Sequence, residues 1–355
     1  MTYLNLAKKL ISLQTQNGNQ QAFEQAWYAI DEVLDTYKYK RYMSKGYESR
    51  VYYSNGKMPE KFDVVLNGHL DVVPGEKHLF KPTILGDKLF GRGAYDMKAA
   101  TAVEILLFKE LANEVSFKLG LQLVTDEEVG GFNGTEYQLA HGLKTDFALV
   151  GESGSNYAVK TKAKGIYWLK ATFKGSSAHS SQPWMGVNAL YQAQEFLGKL
   201  QQAYPVPTQD SWVTTVTPSN IEANNPALNK IPDLVTVFMD ARYIPEEVNE
   251  VESKVQKLLP KGIVLERMLS GSPLNTDDNH PLVQSLLKIC KVKNIDTQLT
   301  KSHGSGDMRF YTSVGASAVE FGPLGGNAHN HEEWVSLQSL EHYYQTLKAW
   351  LLTIG

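Results

Sequence analysis

A two-domain α/β protein is the fold class this chain predicts: a mostly parallel sheet with flanking helices, carrying an inserted ferredoxin-like α+β domain. Three observations lead there. From 62 to 150, short apolar runs alternate with helix-spaced segments, the pattern of parallel β-α-β units. Near Gly165 the order changes to β-α-β-β-α-β over about a hundred residues, the ferredoxin-like succession at an ordinary size for a small domain. The length of 355 residues also exceeds the roughly 250 to 300 at which single cores stop growing. Residues 1–164 and 273–355 are therefore expected to form one discontinuous domain, with 165–272 inserted into it.

Taken in order, 3–14 and 20–37 carry helical spacing, and 64–66 reads as the first buried strand. After Asp96, Ala99, Val103, Leu106, Leu107 and Leu111 line one broad apolar face of a helix that ends at Asn113. Segments 119–124, 147–150 and 318–321 read as further buried strands. In the insert, 166–174 predicts a strand, 187–203 a helix, 212–223 and 234–242 strands, 245–259 a helix and 262–268 a strand. Pro218 and Asn220 weaken the strand around them. Segment 271–278, rich in Ser, Pro, Asn and Asp, reads as the return linker.

Composition excludes several function classes. With 42% apolar residues, 21% charged residues and a net charge of -3, the chain has no polybasic field for nucleic acid or anionic lipid. No stretch of about 18 apolar residues suits a membrane span, and the N-terminus lacks a signal-peptide core. A cytoplasmic protein is expected. The single cysteine, Cys290, falls in a helical pattern, is expected to be buried and cannot form an intramolecular disulfide.

Each buried strand of the first domain leads into a loop bearing a candidate ligand: His69, Glu127 and Glu128, Glu152, and later His329, while Asp96 stands at a helix N-terminus. Taken singly, each has an ordinary reading. A lone histidine is most often a surface or hydrogen-bonded side chain, Asp96 a helix cap, Glu127 and Glu128 a solvated pair, and Glu152 a turn residue. Their joint placement points elsewhere, because ligand sites in open α/β sheets form outside the carboxyl ends of the strands. Imidazole and carboxylate without thiolate suit Zn2+, and also Co2+ or Mn2+. Four carboxylates repel one another unless cations neutralise them, which fits a pair of metals about 3.5 to 4 Å apart, bridged by the short side chain of Asp96.

Four motifs carry a resemblance. Gly68-His69-Leu70-Asp71-Val72-Val73-Pro74, Gly91-Arg92-Gly93-Ala94-Tyr95-Asp96-Met97-Lys98, Thr125-Asp126-Glu127-Glu128-Val129-Gly130-Gly131 and Ala328-His329-Asn330-His331-Glu332-Glu333 occur in order across nearly the whole chain. Together they resemble the co-catalytic dizinc family of acetylornithine deacetylase, succinyl-diaminopimelate desuccinylase, aminoacylase and glutamate carboxypeptidase. The resemblance implies a zinc-peptidase-like catalytic domain, with the insert as lid and dimerisation domain, and two Zn2+ per subunit. His69 and Glu152 would hold one ion and Glu128 and His329 the other, with Asp96 and a water or hydroxide bridging. Glu127 would be the general base, and Asp71 would orient His69. Asp96-Met97 would share the family's cis peptide. One departure is that Gly151-Glu152-Ser153 lacks the proline that often follows this glutamate.

In the insert, Ser177-Ala178-His179-Ser180-Ser181 with Pro183, Gly186 and Asn188-Ala189 resembles the lid motif whose histidine stabilises the oxyanion, commonly from a partner subunit. Its ordinary reading is a strand-end histidine satisfied by neighbouring hydroxyls. Asn229-Lys230-Ile231-Pro232 and Asp240-Ala241-Arg242 also resemble lid motifs. Arg242 would hold a substrate carboxylate, with Asn229, Gly304 and Ser305 as further contacts, against the plainer reading of surface pairing and turn formation. The expected activity is removal of an acyl group from an N-acyl amino acid, with a dipeptidase or carboxypeptidase as the alternative. An N-carbamoyl amide hydrolase would use the same residues. A homodimer is expected, with no nucleic-acid or membrane partner.

Overall fold

A computed structural model describes residues 1–54 and 56–354 and divides into two compact units. The first comprises Met1–Lys162, Asn275–Lys301 and Gly306–Gly355; the second comprises Ala163–Leu274 together with Ser302–Ser305.

Apolar, β-branched runs build the centre of the first unit. Phe62–His69 lies between Leu119–Val124 and Thr145–Val150 and is parallel to both, with Val64 opposite Leu119 on one side and Phe147 on the other. Ser317–Glu320 extends the parallel set, with Ser317 beside Phe147. All six residues of Leu119–Val124 are buried, as expected for a strand covered on both faces. The helix Lys98–Leu111 is buried almost all round, Lys98 included, and the Lys98 ammonium donates to the carbonyls of Leu10 (3.0 Å) and Leu13 (2.9 Å). A buried lysine is tolerable only with such acceptors.

Thus the predicted strands and the helix after Asp96 are found. An unpredicted hairpin, Lys38–Ser44 with Tyr47–Tyr53, completes one edge by pairing antiparallel to Leu119–Val124. Its turn is Lys45-Gly46, with φ of 46° and 90°. Two successive positive-φ residues give the tight-hairpin turn, and Lys45 carries none of the Asn or Asp signal that usually marks it. Cys290 is buried in the helix Pro281–Val292.

The second unit has a four-stranded antiparallel sheet in the order Thr215–Ala223, Leu234–Tyr243, Gly165–Lys174, Leu265–Gly271. That order, with helices Ala189–Ala203 and Val251–Leu258, is ferredoxin-like. Alternation along Leu234–Tyr243 buries Val235, Val237, Met239, Ala241 and Tyr243 against Phe196, Leu200 and Val255. The strand register shifts between Pro218 and Asn220, where the missing proline N–H breaks the ladder. The helix expected over 245–259 is interrupted: a short turn, Pro245–Glu247, precedes Val251–Leu258. Ser302–Ser305 belongs to this unit, and the Lys164 N–H donates to the Ser302 carbonyl at 3.0 Å. Among the described residues no helix is long and apolar enough to cross a membrane.

Candidate metal centre

The parallel strands deliver donors to one edge. His69 closes its strand, Glu127 and Glu128 follow Val124, Glu152 follows Val150, and Asp96 stands two residues before the first residue of the helix Lys98–Leu111. Asp96-Met97 is a cis peptide, as the resemblance implies. His329 has φ of 64°, a left-handed conformation uncommon for a non-glycine residue.

Two donor groups result. One combines His69, Glu127 and Glu152; the other combines Asp96, Glu128 and His329, and within each the ligand atoms lie within 4.8 Å of one another. Asp96 joins the groups through its two oxygens, with Oδ1 3.0 Å from His69 Nε2 and Oδ2 3.1 Å from His329 Nε2. His329 Nε2 also lies 3.1 Å from Glu128 Oε2, and His69 Nε2 lies 3.6 Å from Glu152 Oε2.

The electrostatics are those of a crowd of carboxylates around two imidazoles. Burial disfavours ionised Asp96, yet hydrogen bonds from His329 and His69 hold its carboxyl well below the usual range. Burial and the nearby Asp96 push Glu152 up to about 8. Burial, and then Glu152, raise Glu127 well above an ordinary glutamate. Hydrogen bonds to Asp96 and Glu128 raise His329 to about 10. Glu152 Oε2 is buried without a hydrogen bond. Converging carboxylates, imidazoles driven toward the cationic form and an orphaned carboxylate oxygen are the features that bound cations neutralise, so the residues fit a metal pair.

Asp71 departs in detail from the expected arrangement. His69 Nδ1 meets the Asp71 carbonyl at 3.0 Å, whereas the nearer carboxylate oxygen stands at 3.5 Å. The other carboxylate oxygen accepts from the Glu128 N–H at 2.9 Å. A proton on Nδ1 shared with the carbonyl leaves the Nε2 lone pair available to a cation, so the backbone of Asp71 orients His69 and its side chain braces the Glu128 loop.

Arg92 and Glu333 lie within the quoted motifs, and the sequence alone assigns neither a role. Buried Glu333 accepts from the N–H groups of Tyr95 (3.0 Å) and Asp96 (3.1 Å) and from Arg92 Nη1 (2.7 Å). Arg92 Nη2 then donates to the His329 carbonyl at 3.1 Å. This pair ties Asp96 to the His329 loop. A buried glutamate with an arginine partner far along the chain is a relation that motif spacing does not display.

In the second unit His179 is exposed. Its Nδ1 is 2.7 Å from Ser181 Oγ, and Asn229 Nδ2 stands 3.5 Å from its Nε2, so these two predicted residues are neighbours. Arg242 is engaged by Asp240 through Nε–Oδ1 (2.7 Å) and Nη2–Oδ2 (3.2 Å). The Gly304 N–H donates to Ser302 Oγ at 3.2 Å, and Ser305 is half-buried beside it in sequence.

An α/β sheet whose strand ends carry two adjoining imidazole–carboxylate groups joined by one aspartate is a candidate dinuclear metal site. The chain belongs to peptidase family M20/M25/M40, whose family model matches residues 65–353, and it is a metallohydrolase of that family. A succinyl-diaminopimelate desuccinylase of Nitrosococcus oceani is 29% identical over 321 residues, covering 84% of this chain and 85% of that one. The fold is similar to that of aminopeptidase PepT of Bacillus cereus, with a TM-score of 0.78 at 16% identity over 99% of this chain and 97% of that one. It is also similar to a dinuclear metal-binding M20 peptidase of Bacillus subtilis, with a TM-score of 0.71 at 12% identity and coverage of 99% and 97%.

Proposed function

We propose that the protein removes an acyl group from an N-acyl amino acid by hydrolysis of the amide, with His69, Glu152, Asp96, Glu128 and His329 holding two zinc ions and Glu127 carrying the proton. The observation that supports this most is the division between adjacent glutamates. Glu128 reaches the group of Asp96 and His329, while Glu127 joins the group of His69 and Glu152. The desuccinylase likeness over most of both chains favours the acyl amino acid over a peptide.

Bound zinc would polarise the amide carbonyl and lower the pKa of water. Glu127, its proton affinity raised by burial and by Glu152, takes a proton from the attacking water. The water oxygen bonds to the acyl carbon, the C–N bond breaks, and Glu127 returns the proton to the leaving nitrogen. The backbone of Asp71 fixes His69, and the Arg92–Glu333 pair fixes Asp96 and His329. Arg242, with its Nη1 side outside the Asp240 pair, is assigned the substrate carboxylate, together with Asn229, Gly304 and Ser305. A dipeptidase or carboxypeptidase would use the same groups.

His179 is assigned the developing oxyanion, and the homodimer belongs to the same proposal. His179→Ala should lower kcat by about 100- to 1000-fold, the usual loss for one oxyanion donor. Its metal content should equal that of the wild type; an unchanged kcat removes His179 from the reaction.

The reading is tested by a panel of N-acetyl, N-succinyl and N-carbamoyl amino acids and simple dipeptides, offered to zinc-replete protein. Cleavage selective for one acyl amino acid is expected. Cleavage of dipeptides alone moves the protein to the peptidase branch.

A further inference from the structure

Behind the strand ends lies a buried carboxyl group that the proposed reaction does not use. Glu104, on the helix Lys98–Leu111, is fully buried. Its Oε1 accepts from the Tyr343 hydroxyl at 3.0 Å, and its Oε2 is buried without a hydrogen bond. A carboxyl in such a place costs stability, and a leucine of similar volume would fill the same space without that cost. Its neighbours show what it does there.

Its two oxygens face two glycines, and each glycine immediately precedes a proposed ligand. A Cβ added at Gly68, before His69, would stand 3.0 Å from Glu104 Oε2 and 2.6 Å from Thr101 Oγ1. A Cβ added at Gly151, before Glu152, would stand 2.5 Å from Glu104 Oε1 and 2.6 Å from the Tyr343 hydroxyl. One carboxyl group is thus wedged against the backbones of both strands at the point where each releases its ligand. Thr101, one turn earlier on the same helix, donates to the His69 carbonyl at 3.3 Å and adds to this support. Neither Glu104 nor Tyr343 belongs to either donor group.

We propose that Glu104, braced by Tyr343, is a positioning residue for the metal position formed by His69 and Glu152: it sets the spacing of the Gly68 and Gly151 backbones and so the separation of these two ligands. The role rests on the metal centre proposed above. The other position shares Asp96 and adds Glu128 and His329, none of which is among the partners of Glu104 given above, so the effect is expected at the step of the His69–Glu152 position.

The test is a calorimetric titration of metal-free protein with Zn2+, alongside the melting temperature of each metal-free variant. Glu104→Ala should weaken one of the two zinc steps by about 10- to 100-fold, the usual worth of an outer partner, and leave the other in place. Glu104→Gln keeps the volume and the acceptor for Tyr343 and should restore both steps to the wild-type values. Tyr343→Phe, which keeps its ring in the core, should weaken the same step by a smaller factor. A merely structural role would lower the melting temperature in Glu104→Ala while both steps stayed as in the wild type, or would weaken both alike; either result overturns the proposal. Should Glu104→Ala fail to fold, a Tyr343→Phe protein with two wild-type steps overturns it equally. A wild-type chain that takes up no zinc overturns the metal centre itself, and this role with it.

Discussion

Replacing Glu127 by Gln is expected to lower kcat by about 100- to 10,000-fold while both zinc ions remain bound, because a positioned general base contributes on that scale. The side chain lies among the ligand atoms of His69 and Glu152, so its position alone allows a ligand or a base. The substitution separates the two. Glutamine preserves the volume and one oxygen but cannot accept and return a proton, so a base loses turnover with its metals in place. A ligand would instead lose metal. The measurement is zinc content by elemental analysis on the same sample used for kcat and KM, and KM should change little, since the lost interaction is one made in the transition state. Comparable kcat in a zinc-replete sample contradicts the assignment.

Asp96→Ala should remove both metals together. The two Asp96 oxygens address different histidines, His69 at 3.0 Å and His329 at 3.1 Å, so this one substitution reaches both donor groups. The loss in affinity should exceed the roughly 10- to 100-fold associated with outer partners, and it should appear at both zinc steps. His331→Ala is the control: its imidazole is exposed, stands two residues from His329 and belongs to neither donor group. Competition against a zinc-binding dye reads both variants. Retention of one ion at wild-type affinity in Asp96→Ala would show that the two positions are independent and that Asp96 is not shared.

Much of this arrangement is legible in the residues themselves. The run Leu119–Val124 is uniformly apolar apart from Gly120 and Gln122, and it forms the strand expected of it. The helix after Asp96 begins within a residue or two of its motif, since Asp96 and Met97 lie just outside the first turn. Donor residues could be found because a sheet places the ends of parallel strands together whatever the intervening sequence does. What stayed hidden depends on partners far apart in sequence or on which atom of a residue acts. Lys45 accepts a positive φ that its side chain does not advertise, so the hairpin edge is not legible in the sequence. Arg92 and Glu333 are 241 residues apart, and only the folded chain shows that one guanidinium supports two candidate ligands, Asp96 through Glu333 and His329 directly. Asp71 orients His69 through its carbonyl, an atom every residue possesses, while its distinctive carboxylate braces Glu128. Arg242 reads either as a substrate clamp or as half of a surface pair, and the aspartate two residues before it, facing the same side of the strand, engages part of the fork.

The most direct test of the dinuclear centre is a crystal structure of the zinc-loaded protein with anomalous data collected at the zinc edge. Two peaks about 3.5 to 4 Å apart are expected. One should be coordinated by His69, Glu152 and Asp96 and the other by Asp96, Glu128 and His329, with ligand distances of about 2.0 to 2.2 Å. A single peak, or a second peak bound by Glu127 in place of Glu128, would contradict the proposed division of ligand and base.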